Sequence, residues 1–206
     1  MLIRNFPGGG LNTNSYLICD EETKKAFIVD AGAYSEELAA AARRENLSLS
    51  FLILTHGHGD HIAGVKRYRS EFPEMKLVAG EDEKPLLSSP ELNHAEEIAG
   101  VKVTLDADIY VRDGDVLEVG GLTLRIIATP GHTLGGISIL TGGALFSGDT
   151  LFRASIGRTD LWGGSLESLK KSIKEKLFAL PDDVEVYPGH MESTTIGFEK
   201  KNNPYV

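Results

Sequence analysis

Short apolar segments alternate with polar turns along most of this chain, and this pattern predicts a protein built largely from strands. Segments 51–54 and 122–128 are mainly apolar and contain β-branched residues, which favours buried strands. Glycine, proline and aspartate cluster between such segments, where turns are expected. The same pattern predicts strands at residues 14–19, 26–30, 76–79, 108–111, 116–119, 137–140, 144–146 and 184–187.

Helices are predicted between several of these strands. Ser35 is suited to cap a helix over residues 36–44, because its hydroxyl can accept a backbone hydrogen bond and glutamates occupy the first turn. Leucine and isoleucine at helical spacing predict a long helix at 165–179, whereas 90–99 is assigned to a surface segment. No linker or repeat divides the chain, so we expect one domain over residues 1–206. Further helices are expected at 61–69, 81–87 and 195–201.

Charge and composition exclude several classes of function. The formal net charge is −9 at pH 7, which argues against binding to a nucleic-acid backbone. No apolar run reaches the roughly 18–20 residues that span a bilayer, and the first residues lack the layout of a signal peptide. We therefore expect a cytoplasmic protein with no nucleic-acid or membrane partner, either a monomer or a homodimer.

The single cysteine, Cys19, limits the possible chemistry further. One cysteine excludes a disulfide within the chain and a metal site built from cysteines. Cys19 lies in an apolar strand segment and has no histidine or asparagine partner in a recognisable pattern. A buried structural thiol is therefore expected, not a nucleophile.

The densest cluster of reactive side chains follows the strand predicted at 51–54. Three histidines and an aspartate occur within six residues there, namely His56, His58, Asp60 and His61. Gly57 and Gly59 between them allow the backbone to turn these side chains toward one point. Imidazole and carboxylate are ligand types that zinc prefers and that iron and manganese accept. The loop is therefore a candidate metal site that needs further ligands.

Three other predicted strand ends supply such ligands. His132 follows the strand at 122–128, Asp149 follows the strand at 144–146, and His190 follows the strand at 184–187. Strand ends are rigid supports, and side chains placed there can be held with the precision that a metal requires. Of the six histidines only His94 lies elsewhere, in a polar segment where a solvated role is expected.

This arrangement of Thr55-His56-Gly57-His58-Gly59-Asp60-His61 with a later His, Asp and His resembles the metallo-β-lactamase fold superfamily over essentially the whole chain. The resemblance implies an α/β protein with a four-layer αββα sandwich, in which helices flank two mixed β-sheets. It also implies two metal sites. The first would use His56, His58 and His132, the second would use Asp60, His61 and His190, and Asp149 would bridge them.

Two divalent ions in such sites, zinc first with iron or manganese as alternatives, would share a water molecule and lower its pKa from near 16 toward roughly 7. The resulting metal-bound hydroxide would attack a carbonyl group, and the ions would stabilise the oxyanion that forms. No serine or cysteine nucleophile is needed. Asp60 is a candidate proton acceptor as well as a ligand.

Residues 148–161 and 194–204 resemble the short glyoxalase II-like hydrolases. That resemblance implies hydrolysis of a thioester, S-lactoylglutathione or a related acyl-thiol, as a small-molecule substrate. Arg158 could pair with a carboxylate of the substrate, or with Asp160 or another acid of the protein. Two features distinguish this chain from full-length glyoxalase II enzymes. We expect no C-terminal glutathione-binding extension, and Asp160 stands where that family has a tyrosine.

Two alternatives remain open at the level of the sequence. Persulfide dioxygenases share the histidine loop and an element like Gly157-Arg158-Thr159-Asp160, and they would bind one iron through His56, His132 and Asp149. Another acyl substrate, such as a lactone, would also suit a metallo-hydrolase. A non-catalytic metal-binding or redox module is a third interpretation, but no cysteine cluster or second domain supports it.

Overall fold

Neighbouring segments of the chain pair with one another to form two six-stranded sheets. The computed structural model describes all residues, 1–206. The first sheet is antiparallel across its first three strands and parallel across the rest. In spatial order it contains β1 (Leu2–Asn5), β2 (Tyr16–Cys19), β3 (Lys25–Val29), β4 (Ser48–Ile53), β5 (Lys76–Gly80) and β6 (Ile109–Val111).

The second sheet is mainly antiparallel, with one parallel pair. That parallel pair joins the two strands that are followed by Asp149 and His190, so both residues emerge side by side at the carboxyl ends of these strands. From one edge to the other the sheet contains β14 (Thr194–Thr195), β13 (Glu185–Pro188), β10 (Ala144–Gly148), β9 (Ile137–Thr141), β8 (Leu122–Ala128) and β7 (Val116–Val119). A separate short hairpin is formed by β11 (Leu151–Phe152) and β12 (Ser155–Ile156).

The helices lie outside the sheets. They are α1 (Glu36–Arg44), α2 (Gly59–Ile62), α3 (Val65–Glu71), α4 (Lys84–Ser88), α5 (Pro90–Asn93), α6 (Ala95–Ala99), α7 (Leu166–Lys171) and α8 (Ile196–Asn202). A 3-10 turn, Glu81–Glu83, precedes α4, and a π-helical segment, Ser172–Leu177, continues α7. None of the helices combines the length and the apolar composition needed to cross a membrane.

The hydrophobic core forms three layers, as the alternation of side chains along the strands requires. Tyr16 and Ile18 of β2 point between the sheets, where they join Phe146 of β10 in one cluster. Leu17 points to the opposite face and packs with Leu38 of α1. A third cluster packs the outer face of the second sheet against α7 and α8. The predicted four-layer αββα sandwich of two mixed sheets is therefore confirmed.

Several sequence-based boundaries needed correction. The helix predicted at 61–69 begins earlier, at Gly59, and is interrupted before Val65, so Asp60 lies with His61 in a short helix and not in the preceding loop. The helix predicted at 165–179 is α-helical only to Lys171. Its continuation is π-helical, and there Ser172 Oγ donates to the carbonyl of Pro130 at 2.7 Å.

The segment 90–99 lies at the surface as expected, with eight of its ten residues at least partly exposed. It forms α5 and α6, with Asn93 and Ala95 fully buried. Asn93 Nδ2 donates to the carbonyl of Val103 at 2.9 Å, and Gly59 lies so close to Ala95 that a Cβ at this glycine would overlap the Ala95 backbone. This burial follows from contact with the segment 56–61 that carries the predicted ligands. Sequence periodicity cannot reveal such a tertiary contact. His94 remains partly exposed and its Nδ1 lies 2.8 Å from Glu97 Oε2.

Candidate metal centre

The seven side chains predicted as ligands meet at one end of the sandwich, at the ends of strands from both sheets. The first sheet contributes the segment after β4, and the second contributes the segments after β8, β10 and β13. Gly148 closes β10 with φ +49°, a backbone angle that other residues adopt only with strain, and so turns Asp149 away from the strand. The residues brought together are His56, His58, Asp60, His61, His132, Asp149 and His190.

The first predicted set consists of three buried imidazoles. His58 Nδ1 and His132 Nε2 are 2.9 Å apart, and His132 Nε2 and His56 Nε2 are 3.1 Å apart. All three residues are at most 5% exposed. Three lone-pair nitrogens directed at one small volume repel one another unless a proton or a cation lies between them.

The second predicted set places carboxylate oxygen beside imidazole nitrogen. His190 Nε2 lies 3.1 Å from Asp60 Oδ2, and His61 Nε2 lies 3.6 Å from the same oxygen. Thr13 Oγ1 donates to that oxygen at 3.3 Å. The mixed nitrogen and oxygen donors are those that zinc, iron and manganese accept.

Asp149 lies between the two sets. Its Oδ1 is 3.3 Å from His61 Nε2 of the second set, and its Oδ2 is 3.6 Å from His132 Nε2 of the first. The same Oδ2 is 3.5 Å from His190 Nε2. A single carboxylate is therefore within reach of both sets, which is the position that a bridging ligand needs.

The donor atoms fit a pair of metal ions. Each of three clusters, two of which are the predicted sets, has its ligand atoms within 4.8 Å of one another. His61 Nε2 and Asp149 Oδ1 are buried and lie 3.3 Å apart, but they form no hydrogen bond with each other or with any other group. Because an unpaired buried polar atom is costly, these two atoms are matched to a cation.

Buried hydrogen bonds fix the orientation of the imidazoles. Asp30 Oδ2 lies 2.8 Å from His61 Nδ1, and the same carboxylate accepts from the backbone N–H and the hydroxyl of Thr55 at 2.8 Å. His132 Nδ1 donates to the carbonyl of Arg158 at 2.7 Å. In both rings the second nitrogen is left free to face the cluster, as a metal ligand requires.

The electrostatic environment differs between the two ligand sets: it favours neutral imidazoles in the first, whereas in the second Asp30, Asp149 and Asp60 outweigh burial and raise the pKa of His61 well above its ordinary value. Burial lowers the pKa of His56 well below its ordinary value, and burial also lowers the pKa of His58 to about 3. Burial by itself would raise the pKa of Asp149, but nearby His61, His132 and His190 together outweigh it and hold that pKa below the ordinary value. Neutral imidazole and ionised carboxylate are the states that bind a metal.

Asp30 was not predicted as part of the site. Its position at the end of a predicted strand, like that of Asp149, is the sequence signal that could have identified Asp30 as a site residue. The structure adds a second sign, a backbone φ of +58°. A non-glycine residue held in the left-handed region is uncommon and costs free energy. Here the strained backbone points the carboxylate back under Thr55 and His61.

A cavity of about 380 Å³ opens above the cluster and is lined by five of the seven predicted ligands, His58, Asp60, His132, Asp149 and His190. The predicted substrate-binding residue Arg158 lies on its wall and is the only lysine or arginine there. Arg158 Nε and Nη2 donate to the two carboxylate oxygens of Asp160, both at 2.7 Å. Of the two partners expected for Arg158, the structure therefore places the protein carboxylate beside it.

The remaining walls of the cavity are apolar and were not predicted. They come from a loop before β2, from α6, from the short hairpin and from the loop before α7. No local pattern marks them, because they are brought together only by the tertiary fold. The apolar lining residues are Leu11, Ile98, Phe152 and Leu161.

The comparisons with known proteins agree with this geometry. The family model of the metallo-β-lactamase superfamily matches residues 8–190. The chain belongs to the metallo-β-lactamase superfamily. Among relatives in this superfamily, it is 35% identical to hydroxyacylglutathione hydrolase GloC of Haemophilus influenzae, over all of this chain and 98% of that protein. The predicted family and its relation to glyoxalase II-like proteins are therefore confirmed.

Two solved metallo-β-lactamase-fold structures are close neighbours over nearly their full lengths. BLEG-1, a B3 metallo-β-lactamase, has a TM-score of 0.91 at 36% identity and covers 99% of each chain. TTHA1623, solved in a di-iron-bound form, has a TM-score of 0.85 at 30% identity over 98% of this chain and all of its own. The name of the first records a β-lactamase, and that of the second records bound iron.

Steric crowding at Gly189 gives a first test of the cluster. A Cβ added at Gly189 would overlap Asp149 Oδ1 and lie 2.6 Å from His61 Cε1. We expect Gly189→Ala to displace these side chains, to lower the metal content of purified protein and to cost about 1–3 kcal/mol of stability. Elemental analysis and thermal unfolding measure both effects. Gly121→Ala is the control, because its Cβ would meet only Asp20 Oδ2 at 3.5 Å; a normal metal content in Gly189→Ala would contradict the predicted crowding.

Proposed function

We propose that this metallo-hydrolase hydrolyses a thioester, with S-lactoylglutathione or a related acyl-thiol as substrate. The observation that carries the proposal is the position of Asp149 between two ligand sets, directly beneath an open cavity. The similarity to hydroxyacylglutathione hydrolase GloC supports it.

The side chains divide into two roles in this proposal. His56, His58 and His132 would hold one divalent cation, Asp60, His61 and His190 would hold the second, and Asp149 would contact both. Two such ions, when bound, supply Lewis acidity that brings the pKa of water toward neutrality and polarises an acyl carbonyl. Zinc is the first choice, and iron or manganese also suit these donors.

Asp60 is the chain's own candidate for handling the proton of the attacking water. It lines the cavity, and its Oδ2 is held by Thr13 and His190 at 3.3 and 3.1 Å. This anchoring fixes the carboxylate against the cavity wall, where it can accept a proton from a water molecule. The roles of ligand and proton acceptor are both compatible with that position.

The lining of the cavity suits a thioester. In hydrolysis the water oxygen bonds to the acyl carbon and the C–S bond breaks, giving a carboxylate and a thiol. A thiol has a pKa near 8.5, so the thiolate leaves without a proton donor, whereas an amine leaving group needs one. Outside the ligand cluster the walls offer four apolar side chains and Arg158, and none of them is a general acid.

A substrate panel tests the proposal. Purified protein loaded separately with zinc, iron or manganese is assayed with S-lactoylglutathione, other acyl-thiols and a lactone, and the released thiol or acid is measured. Turnover of a thioester with a kcat/KM of at least about 10⁴ M⁻¹ s⁻¹, the lower end of ordinary enzymes, is the expected result. A lactone preferred over every thioester would contradict the proposal.

The same preparations distinguish two other reactions. Oxygen uptake with glutathione persulfide, in the iron-loaded protein and without thioester turnover, would identify a persulfide dioxygenase, and the di-iron form of TTHA1623 makes the iron test necessary. Opening of a β-lactam ring is included because of the similarity to BLEG-1. Each of these outcomes replaces the thioester assignment.

The Arg158–Asp160 pair gives a prediction about selectivity. Because Asp160 occupies two donors of the guanidinium, we expect Asp160→Asn to free Arg158 for a substrate carboxylate. Both side chains are exposed, so the KM for S-lactoylglutathione should fall only roughly 2- to 5-fold, because exposed ion pairs are weak. An uncharged thioester, S-lactoyl-N-acetylcysteamine, serves as the control and should show the same KM in both proteins. An unchanged KM for the glutathione thioester would remove Arg158 from the substrate site.

A further inference from the structure

Glu83 is a buried carboxylate beside the metal centre that none of the proposed roles uses. It ends the 3-10 turn before α4, and only 1% of its surface is exposed. Its Oε2 accepts from the backbone N–H of Gly57 at 2.9 Å. Its Oε1 accepts from the backbone N–H of Gly135 at 3.0 Å and from the hydroxyl of Thr133.

Every partner of Glu83 is a donor, and no lysine or arginine neutralises it. An ionised carboxylate is the side-chain form that accepts in all three directions, so the surroundings are arranged for the anion. Burial nevertheless raises the pKa of Glu83 to about 7, with the three donors acting in the opposite direction. Burying a carboxylate without a cation is expensive, and an amide could not accept from all three donors.

Two of the three donors lie next to ligands of the first set, and the third, Gly135, lies three residues after His132. Gly57 lies between His56 and His58, and Thr133 follows His132. Glu83 thus ties the histidine segment of the first sheet to the His132 segment of the second sheet. The ring of His61 in the second set is held by a different buried carboxylate, Asp30, which also accepts from Thr55 beside His56 but forms no hydrogen bond with the His132 segment.

The packing around Glu83 leaves little freedom for either segment. A Cβ at Gly57 would lie 3.0 Å from Glu83 Oε2, and a Cβ at Gly135 would overlap the backbone at Asp82 and Glu83. Both segments therefore approach the 3-10 turn as closely as glycine allows. Ligands supported in this way keep a fixed spacing, on which the affinity of a metal site depends.

We propose that Glu83 is a positioning residue that sets the spacing between the His56–His58 segment and His132, and thereby the metal affinity of the first set without that of the second. In this role Glu83 affects the binding of an ion by the chain's own ligands, whichever substrate the protein hydrolyses.

The test measures zinc affinity in proteins that keep one ligand set at a time. His190→Ala leaves the first set intact, and His132→Ala leaves the second. Glu83→Gln is introduced into each, and the dissociation constant for zinc is determined by competition with a chromophoric chelator. We expect affinity to fall roughly 10- to 100-fold in the His190→Ala background, as for other supporting residues of metal sites, and to change by less than about twofold in the His132→Ala background.

Two further measurements separate positioning from simple structural support. The visible spectrum of cobalt-substituted Glu83→Gln in the His190→Ala background should change in intensity, because the ligand geometry changes. Thermal unfolding of the metal-free proteins reports the purely structural cost. Asp82→Asn is the matched control, since Asp82 is the exposed neighbour in the same turn, and it should match its parent in every measurement.

If Glu83→Gln does not fold, Thr133→Val removes one of the three hydrogen bonds and nearly preserves side-chain volume. A several-fold loss of zinc affinity confined to the first set is then expected. Equal losses in both backgrounds would overturn the proposal, because they would indicate general loosening of the fold. Unchanged affinity and an unchanged cobalt spectrum alongside a lower melting temperature would also overturn it, because Glu83 would then be structural only.

Discussion

Replacement of Asp149 by alanine is expected to abolish nearly all hydrolytic activity while leaving the sandwich folded. The carboxylate lies 3.3 Å from His61 Nε2 and 3.6 Å from His132 Nε2, so its loss removes an anionic ligand from both sets at once. We expect kcat/KM to fall by at least about 10³-fold, which corresponds to roughly 4 kcal/mol of transition-state stabilisation. Steady-state kinetics with the best thioester and elemental analysis of the purified variant measure the two effects.

Asp183→Ala is the matched control for this substitution. Asp183 is an exposed aspartate outside the cavity, and its removal should leave both metal content and rate unchanged. Asp149→Ala with a normal rate and two bound metal ions would show that the carboxylate is not shared between the sets.

Removal of the metal ions is expected to lower the melting temperature strongly. Two ions, each at about one hundred times its dissociation constant, together stabilise the folded state by about 5 kcal/mol. For a domain of this size that corresponds to a fall of roughly 10–20 °C after chelation. The buried atoms His61 Nε2 and Asp149 Oδ1 are the physical reason, because without a bound ion neither of them has a hydrogen-bond partner. Differential scanning calorimetry before and after chelation gives the value.

The Asp149→Ala variant also provides a control for the chelation experiment. With the shared ligand missing, a chelator should lower its melting temperature by much less than in the natural sequence. Restoring zinc should recover the original curve of the unmodified protein. An unchanged melting temperature after complete removal of metal would contradict a metal-stabilised fold.

Much of the fold and the candidate site could be predicted from the sequence, because each ligand residue directly follows an apolar strand segment. His132, Asp149 and His190 each appear after such a segment, and the structure places all three at the same end of the sandwich. The four-layer arrangement was expected from the resemblance to the superfamily and is confirmed. The ends of strands can be recognised from the sequence because the apolar segment and the residue that follows it are neighbours in the chain.

The features that were missed depend on distant contacts. Leu11 and Ile98 reach the cavity only through the tertiary fold, and the burial of Glu83 depends on segments from both sheets. The π-helical segment after α7 was predicted as α-helix, since its leucine and isoleucine spacing is compatible with both. This π-helical segment also forms a hydrogen bond to the end of β8, where Lys176 Nζ donates to the carbonyl of Ala128 at 2.8 Å.

The division of the ligands between two sheets has a consequence for how the protein acquires its metal. Each predicted set takes side chains from both halves of the chain, so neither sheet alone presents three donors of a set. A chain in which only one sheet has formed can hold an ion only weakly. Tight binding of a metal ion is therefore expected late in folding. The ion then stabilises only those chains whose two sheets have packed together in the correct register.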